Sequence, residues 1–378
     1  MFMLMREDIL VFTKVLMGAD LDRATIFWQF RREYTEKSER EQGASTGDPT
    51  LNLHVCNRKE NRVLLLGIQP SKSRPTTRRP AIMTSPVTAP VLNNTDKWIE
   101  ENQKFFLPPV CNKMMHNEGQ MKLFYVGGPN QRKDYHIEEG EELFYMIKGD
   151  MCLKVVEQNQ HKDVHIKEGE IFLLPARVAH SPQRQANTIG MVIERDRAET
   201  EKDGLRYYIE ENGASTLTTL YEEWFHCEDL GSQLGPIIKR YFASEQHKTG
   251  QPVGTIEKPP FELDSKVKLV KPFCLKHWID KNRADMDSKG VVNMFGSNSQ
   301  FQVDVFGKGE NTGKCDTAEI FIWQLEGSST VTVEGKEYAV GNNDSLLVPI
   351  GQSYTSKREQ GSLSLICYQD PTRKVVPE

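Results

Sequence analysis

One unit occurs twice in this chain: an apolar strand, a glycine turn, a second strand, then glycine, strand, proline and a ring side chain. The first copy reads ELFYMIKGD from Glu142 through Gly149 to Asp150, followed by GEIFLLPARVAH from Gly169 through Pro175 to His180. The second reads IFIWQLEGS from Ile320 through Gly327 to Ser328, followed by GNNDSLLVPIGQSY from Gly341 through Pro349 to Tyr354. A second strand follows each glycine turn (MCLKVVE and TVTVEG). The later copy is two residues longer between its glycine and its proline, a difference a looser turn absorbs. Such a repeat means duplication of one small β-barrel. The copies differ where chemistry would sit: Glu142 and His180 in the first correspond to Ile320 and Tyr354 in the second.

The rest of the chain fits two β domains of unlike role. Short runs rich in Val, Ile, Phe and Tyr, such as KLFYVGG, KDVHIKEGEIFLLPA and IGMVIERD, are separated by Gly, Pro, Asn and Asp from Asn94 onward. That spacing predicts an all-β arrangement. Thr95 to Asn102 reads as one short capped helix. After Thr216 the segments LTTLYEEWFHCEDLG and SQLGPIIKRYFASEQ carry apolar residues three and four apart and predict helix. The expected layout is an extension over 1–93, a catalytic β domain over 94–215, a helical connector over 216–265 and a metal-free β domain over 266–378.

The extension differs from the rest in charge. Residues 1–90 hold 14 Lys/Arg against 10 Asp/Glu, a net of +4, so the remainder carries −9 of the total −5. Its end, QPSKSRPTTRRPAIMTSPVTAP, keeps neither helical nor strand period and reads as linker or disorder. The ten acids argue against a transit peptide. Initiation at Met83, just before the globular pattern, is the third reading.

Composition removes several function classes. With 38% hydrophobic and 27% charged residues among 378, the chain is neither collagen-like nor wholly disordered. It contains no run of about 18 apolar residues, so no bilayer-spanning helix is expected. Arg6, Glu7, Asp8 and Lys14 interrupt the first apolar stretches, so no signal peptide is read. A net charge of −5 disfavours a partner recognised by phosphate neutralisation. The seven cysteines, at 56, 111, 152, 227, 274, 315 and 367, form no Cys-x-x-Cys pair and are expected to be reduced thiols of a cytosolic protein.

His136, Glu142 and His180 are the candidate metal ligands. Two imidazoles and a carboxylate with open positions form the facial triad suited to Fe(II) enzymes that handle dioxygen. His54, His116, His161, His165, His226, His247 and His277 stand in no such pattern and are taken as solvated or core residues. The mixed-sign run RDRAETEKDGLR, residues 195–206, reads as a solvated connector. Trp224, Phe225, Trp278 and Trp323 read as core.

These residues reach a family. GPNQRKDYHIEEGEE, from Gly128 through His136 to Glu142, resembles the first cupin motif, with Glu138 where that motif usually has its second histidine. Gly169 through Pro175 and Arg177 to His180 resembles the second. KDYHIEEGEE, EIFLLPARVAHSPQR, DGLRYYIE, WQLEGSS and DSLLVP together resemble the eukaryotic 3-hydroxyanthranilate 3,4-dioxygenase family from about Lys97 to Asp370. The resemblance implies a bicupin fold, two cupin jelly-roll barrels joined by the connector. It also implies one Fe(II) per chain on His136, Glu142 and His180, and a small-molecule substrate, 3-hydroxyanthranilate, with dioxygen. Arg132, Arg184 and Glu194 match the family's substrate-contacting and catalytic residues, with Glu142 beside the substrate and Arg132 also beside dioxygen. An arginine fork suits the substrate's carboxylate, and Glu194 in an apolar strand needs a partner, which the phenolic hydroxyl supplies. A two-barrel chain mimics a dimer of single barrels, so a monomer is expected. The competing readings are a bicupin binding or storage protein with a structural or absent metal, and a zinc or manganese isomerase of sugar phosphates. The storage protein has no use for two arginines and a glutamate beside open coordination positions. The isomerase would want more cations and the second cupin histidine.

Overall fold

The computed structural model describes residues 87–374 apart from Pro109. Residues 1–86, most of the expected extension and including Met83, lie outside the described residues. The described chain is built on four antiparallel sheets. In the first half, one sheet runs in the order Phe273–Cys274, Glu170–Leu174, Glu142–Lys148, Ile189–Arg195, Met121–Gly127, Asn112–His116. Facing it is the order Ala214–Phe225, Asp203–Glu211, Tyr135–Ile137, His180–Arg184, Met151–Glu157, Gln160–Ile166. The second half repeats the plan with a six-stranded sheet (Val91–Asn94, Asp344–Val348, Ile320–Glu326, Leu363–Gln369, Phe301–Phe306, Val291–Asn293). Its partner has four strands: Gly309–Gly313, Tyr354–Arg358, Ser329–Val333 and Lys336–Val340. The duplicated all-β architecture is therefore as expected from the repeat.

Strand periodicity explains why the central runs are almost continuously apolar. Side chains alternate between faces, and in the first-named sheet of each half both faces are buried. Phe144, Val126 and Val192 point inward, packing with Leu153 and Val155 of the facing sheet. Their neighbours Leu143, Tyr125, Met191 and Ile193 point outward and meet Phe301, Val303, Phe321 and Leu365 of the second half. The halves also exchange edges. Val91–Asn94 pairs with Asp344–Val348, and Phe273–Cys274 pairs with Glu170–Leu174. Residues 91–93, expected in the extension, are thus part of the second half's sheet. In that half Tyr354, the counterpart of His180, closes on Gly313, where a Cβ would lie 2.5 Å from its ring.

The predicted helix over Thr95–Asn102 forms, with the Asn94 side chain accepting from the Lys97 amide. The predicted helix in SQLGPIIKRYFASEQ forms over Leu230–Ala243 and Glu245–Thr249. LTTLYEEWF does not: Ala214–Phe225 is a strand. Asn212 and Gly213, both at positive φ, make the two-residue turn that Asn-Gly favours and pair Glu211 with Ala214. The ladder to Asp203–Glu211 outweighs the helical spacing.

Residues 195–206 contradict the expectation of a solvated connector. Arg195, Arg197, Glu201, Asp203 and Arg206 are all buried. Their charges are matched in fork geometry: Arg195 donates from Nη1 and Nη2 to the two Glu201 carboxylate oxygens at 2.6 and 2.7 Å. Burial opposes the Glu201 anion, but Arg195, the Ala198 amide and Lys374 hold its carboxyl down to about 2 from an ordinary 4.5. A depressed carboxyl stabilises the fold above its unfolded pKa and loses that contribution as pH falls through the folded value. The window is therefore pH 4.5 down to 2, worth on the order of 3 kcal/mol. Glu201→Gln is expected to lower Tm at neutral pH and to flatten the loss of Tm across that window. Melts followed from pH 7 to 2 check this, and parallel profiles for both proteins would contradict it.

Candidate metal centre

Strand parity delivers the candidate residues to one cavity inside the first half. His180, Pro182 and Arg184 alternate along one strand, Glu142 and Phe144 along a second, and Val192 and Glu194 along a third; all seven line the same cavity. His136 lies directly opposite His180 in the antiparallel register. Arg132 enters from the preceding loop, which is fixed by Arg132 N donating to Gln183 Oε1 at 3.1 Å. At Gly128 a Cβ would lie 2.0 Å from the Gln185 carbonyl oxygen, so only glycine lets this loop pass so close. All six residues singled out in the sequence therefore line one cavity.

The donor set calls for a cation. His136, Glu142 and His180 each bring a ligand atom to within 4.8 Å of the others, and all three are buried. Each imidazole is turned by a contact on its far side. His180 Nδ1 lies 3.0 Å from the Val178 carbonyl oxygen. A carbonyl only accepts, so Nδ1 carries the hydrogen and Nε2 presents its lone pair. That Nε2 lies 2.8 Å from Glu142 Oε1, yet Glu142 Oε1 accepts no hydrogen bond. His136 Nε2 is held 2.7 Å from Asp203 Oδ2, which turns Nδ1 toward Glu142 Oε1 at 3.8 Å. Lone pairs from two imidazoles thus converge with a carboxylate, an arrangement a divalent ion satisfies. Burial disfavours the His136 imidazolium, but Asp203 and Glu142 outweigh it and lift the group to about 9, so the His136 lone pair is freed when a bound cation displaces that proton. Burial would likewise raise the Glu142 carboxyl, but the facing histidines hold it well below the usual range.

The two arginines differ. Arg132 donates from Nε to Asp134 Oδ2 at 3.0 Å, with Nη2 on the same oxygen. Arg184 is buried, makes no side-chain hydrogen bond or ion pair with any described residue, and its Nε has no partner. Burial and the neighbouring Arg132 charge lower its guanidinium to about 10. Glu194 is buried with Arg197 Nη1 at 3.2 Å. Burial raises its carboxyl, Arg197 opposes this, and Glu142 adds to it.

Asp203, Arg197 and Glu138 are the residues that the sequence did not reveal. The sequence marks Glu138 only as the place of the missing histidine; its carboxylate is buried against Arg197 and lies within 4.8 Å of Glu142 and Glu194. Leu230 and Leu234, from the helix over Leu230–Ala243, also line the cavity. No motif spacing connects that helix to the centre.

The sequence profile of the 3-hydroxyanthranilic acid dioxygenase family matches residues 88–242. A relative from Xenopus tropicalis named 3-hydroxyanthranilate 3,4-dioxygenase is 52% identical over 280 residues, which is 74% of this chain and 98% of that protein. The human protein of the same name is 50% identical over 279 residues, 73% of this chain and 96% of its own length. This chain belongs to the 3-hydroxyanthranilic acid dioxygenase family. Within that family it is an enzyme, a ring-cleaving dioxygenase, and the membership implies a metal, a small-molecule substrate and dioxygen. Among solved structures, salicylate 1,2-dioxygenase from Pseudoaminobacter salicylatoxidans is similar at a TM-score of 0.47 and 10% identity, over 93% of this chain and 95% of that one. That likeness is too distant to bear on the chemistry.

Proposed function

We propose that the chain opens 3-hydroxyanthranilate with dioxygen to 2-amino-3-carboxymuconate semialdehyde, the precursor of quinolinate and NAD on the kynurenine route of tryptophan breakdown. One Fe(II) per chain is held by His136, Glu142 and His180. The observation that carries this reading is Arg184, a buried cation without a carboxylate partner beside a converging His-Glu-His set. A binding or storage protein gives no reason for that arrangement. A substrate carboxylate does, because it supplies the missing anion in a fork geometry.

Fe(II) in that set would supply chelation of substrate and activation of dioxygen. The chain's own residues do the rest. Arg184 pairs with the substrate carboxylate, and Arg132, already shared with Asp134, offers its remaining N–H groups to substrate or dioxygen. Glu194, whose carboxyl burial has raised, takes the phenolic proton and leaves the ring electron-rich for attack between C3 and C4. Met114, Phe124, Phe144 and Leu234 give the cavity apolar walls that keep water from the ring. Both oxygen atoms enter the product.

An oxygen electrode tests the assignment. Metal-loaded protein should take up one dioxygen per 3-hydroxyanthranilate and none with anthranilate, which lacks the hydroxyl that Glu194 acts on. Equal uptake with both compounds would overturn the role of Glu194. The outer faces of the sheets holding Glu142–Lys148 and Phe301–Phe306 already cover each other, which supports a monomer; a stable dimer by light scattering at micromolar concentration would refute it. Among the described residues no helix is long and apolar enough to cross a membrane. All six described cysteines are free, which supports placement in the reducing cytosol.

A further inference from the structure

The buried run 195–203 has a cost that needs a reason. Charged groups taken out of water lose several kcal/mol each unless their geometry is very good, and this segment buries two arginines and two acids beside the centre. Its path is built to deliver one group. The Arg195–Glu201 fork and the Glu201 amide donating to the Ala198 carbonyl at 2.8 Å fold the segment back on itself. The turn sets Arg197 against three carboxylates at once. Arg197 Nε donates to Asp203 Oδ1 at 3.0 Å and Nη2 to Asp203 Oδ2 at 2.8 Å. Nη1 lies 3.2 Å from Glu194 Oε1, Nη2 contacts Glu138, and Nη1 also donates to the Arg195 carbonyl at 2.8 Å.

The two imidazoles of the centre are therefore unequal. His180 meets a neutral carbonyl on its outer nitrogen, whereas His136 meets an anion that is itself clamped by a guanidinium fork. A hydrogen bond to a carboxylate is about twice as strong as one to a neutral acceptor. It also raises the basicity of the ring nitrogen facing the metal.

We propose that Asp203 is a positioning residue for the metal ligand His136, and that Arg197 ties Asp203 to Glu194, so that one guanidinium sets both the metal ligand and the acid facing the substrate. The proposal rests on the His136–Glu142–His180 centre and deepens it. Asp203 fixes the ring plane and the tautomer of His136. Arg197 fixes Asp203 through both oxygens and spends its remaining face on Glu194. Glu138, where related barrels place a ligand, serves here as a further anion on that clamp.

Cobalt(II) is a suitable probe, because its affinity and its visible absorption both report the ligand field without turnover. Wild-type chain, Glu142→Ala, Asp203→Asn, Arg197→Lys and Glu222→Gln would be titrated with cobalt(II) against a competing chelator, with a thermal melt for each. Glu222→Gln breaks the buried Arg206–Glu222 pair away from the centre and controls for general loss of stability. Asp203→Asn, which keeps shape and an acceptor, should weaken cobalt(II) binding by about 10- to 100-fold and shift its visible bands. Arg197→Lys should do the same, while Glu222→Gln leaves affinity and bands at the wild-type values. If Arg197→Lys does not fold, Asp203→Asn alone decides the matter. Wild-type affinity or wild-type bands in Asp203→Asn would overturn the proposal. Wild type binding no more tightly than Glu142→Ala would instead overturn the centre itself, a separate failure.

Discussion

Glu142→Ala is expected to leave a folded chain that no longer keeps its metal. Iron content after gel filtration should fall from about one per chain to near zero, and ring cleavage should fall by more than the ~100-fold attributed to outer contacts of a metal site. The reason is the balance of charge. Glu142 supplies the anion of the set, and its Oε1 is the atom on which both imidazoles converge. Removing it leaves two neutral ligands, too few to hold the ion against buffer. The fold should survive, because Glu142 opens its strand while Leu143, Phe144 and Met146 carry the packing of that strand. Equal metal content in variant and parent would defeat the ligand assignment. Loss of a cooperative melt would show that Glu142 is needed for the fold instead.

Arg184→Met should separate stability from activity. In the free enzyme Arg184 is a buried cation with no carboxylate in hydrogen-bond contact among the described residues, and burial and the Arg132 charge lower its guanidinium to about 10 despite the nearby Glu142. An unpaired buried charge weighs against the fold, so an apolar side chain of similar length should leave Tm unchanged or higher. The same change removes the proposed partner of the substrate carboxylate. Truncating one side of a buried, hydrogen-bonded charge pair costs about 2–5 kcal/mol, so KM should rise on the order of a hundredfold. Arg132→Ala should raise KM less, because two of that guanidinium's nitrogens are already committed to Asp134. Steady-state kinetics beside thermal melts read both effects. A destabilised Arg184→Met with an unchanged KM would reverse the account of this residue.

The parts legible in the sequence were those written with a local period. Short apolar runs such as ELFYMIKGD and IGMVIERD between turn residues mark strands, the repeated glycine and proline positions mark two copies of one unit, and Glu142 and His180 open strands of the first copy. What stayed hidden depends on chain reversal. Arg197 and Asp203 are six residues apart and look like any mixed-sign connector until the Ala198–Glu201 turn brings them together. Asp203 reaches His136 across 67 residues, a pairing set by the ladder between Tyr135–Ile137 and Asp203–Glu211. The strand over Ala214–Phe225 was masked by apolar residues that happen to fall at helical spacing, although the Asn212-Gly213 turn before it was in plain view. Leu230 and Leu234 line the cavity from a helix whose own pattern says only that one face is apolar.

The most direct test of the central claim mixes anaerobically prepared, Fe(II)-loaded chain with 3-hydroxyanthranilate in aerated buffer and follows the ultraviolet spectrum. The account predicts an absorbance from the semialdehyde that rises and then decays as the product cyclises, absent from a Glu142→Ala control. Folded, metal-loaded protein that gives no such transient would contradict ring cleavage at this centre and return the chain to the binding proteins.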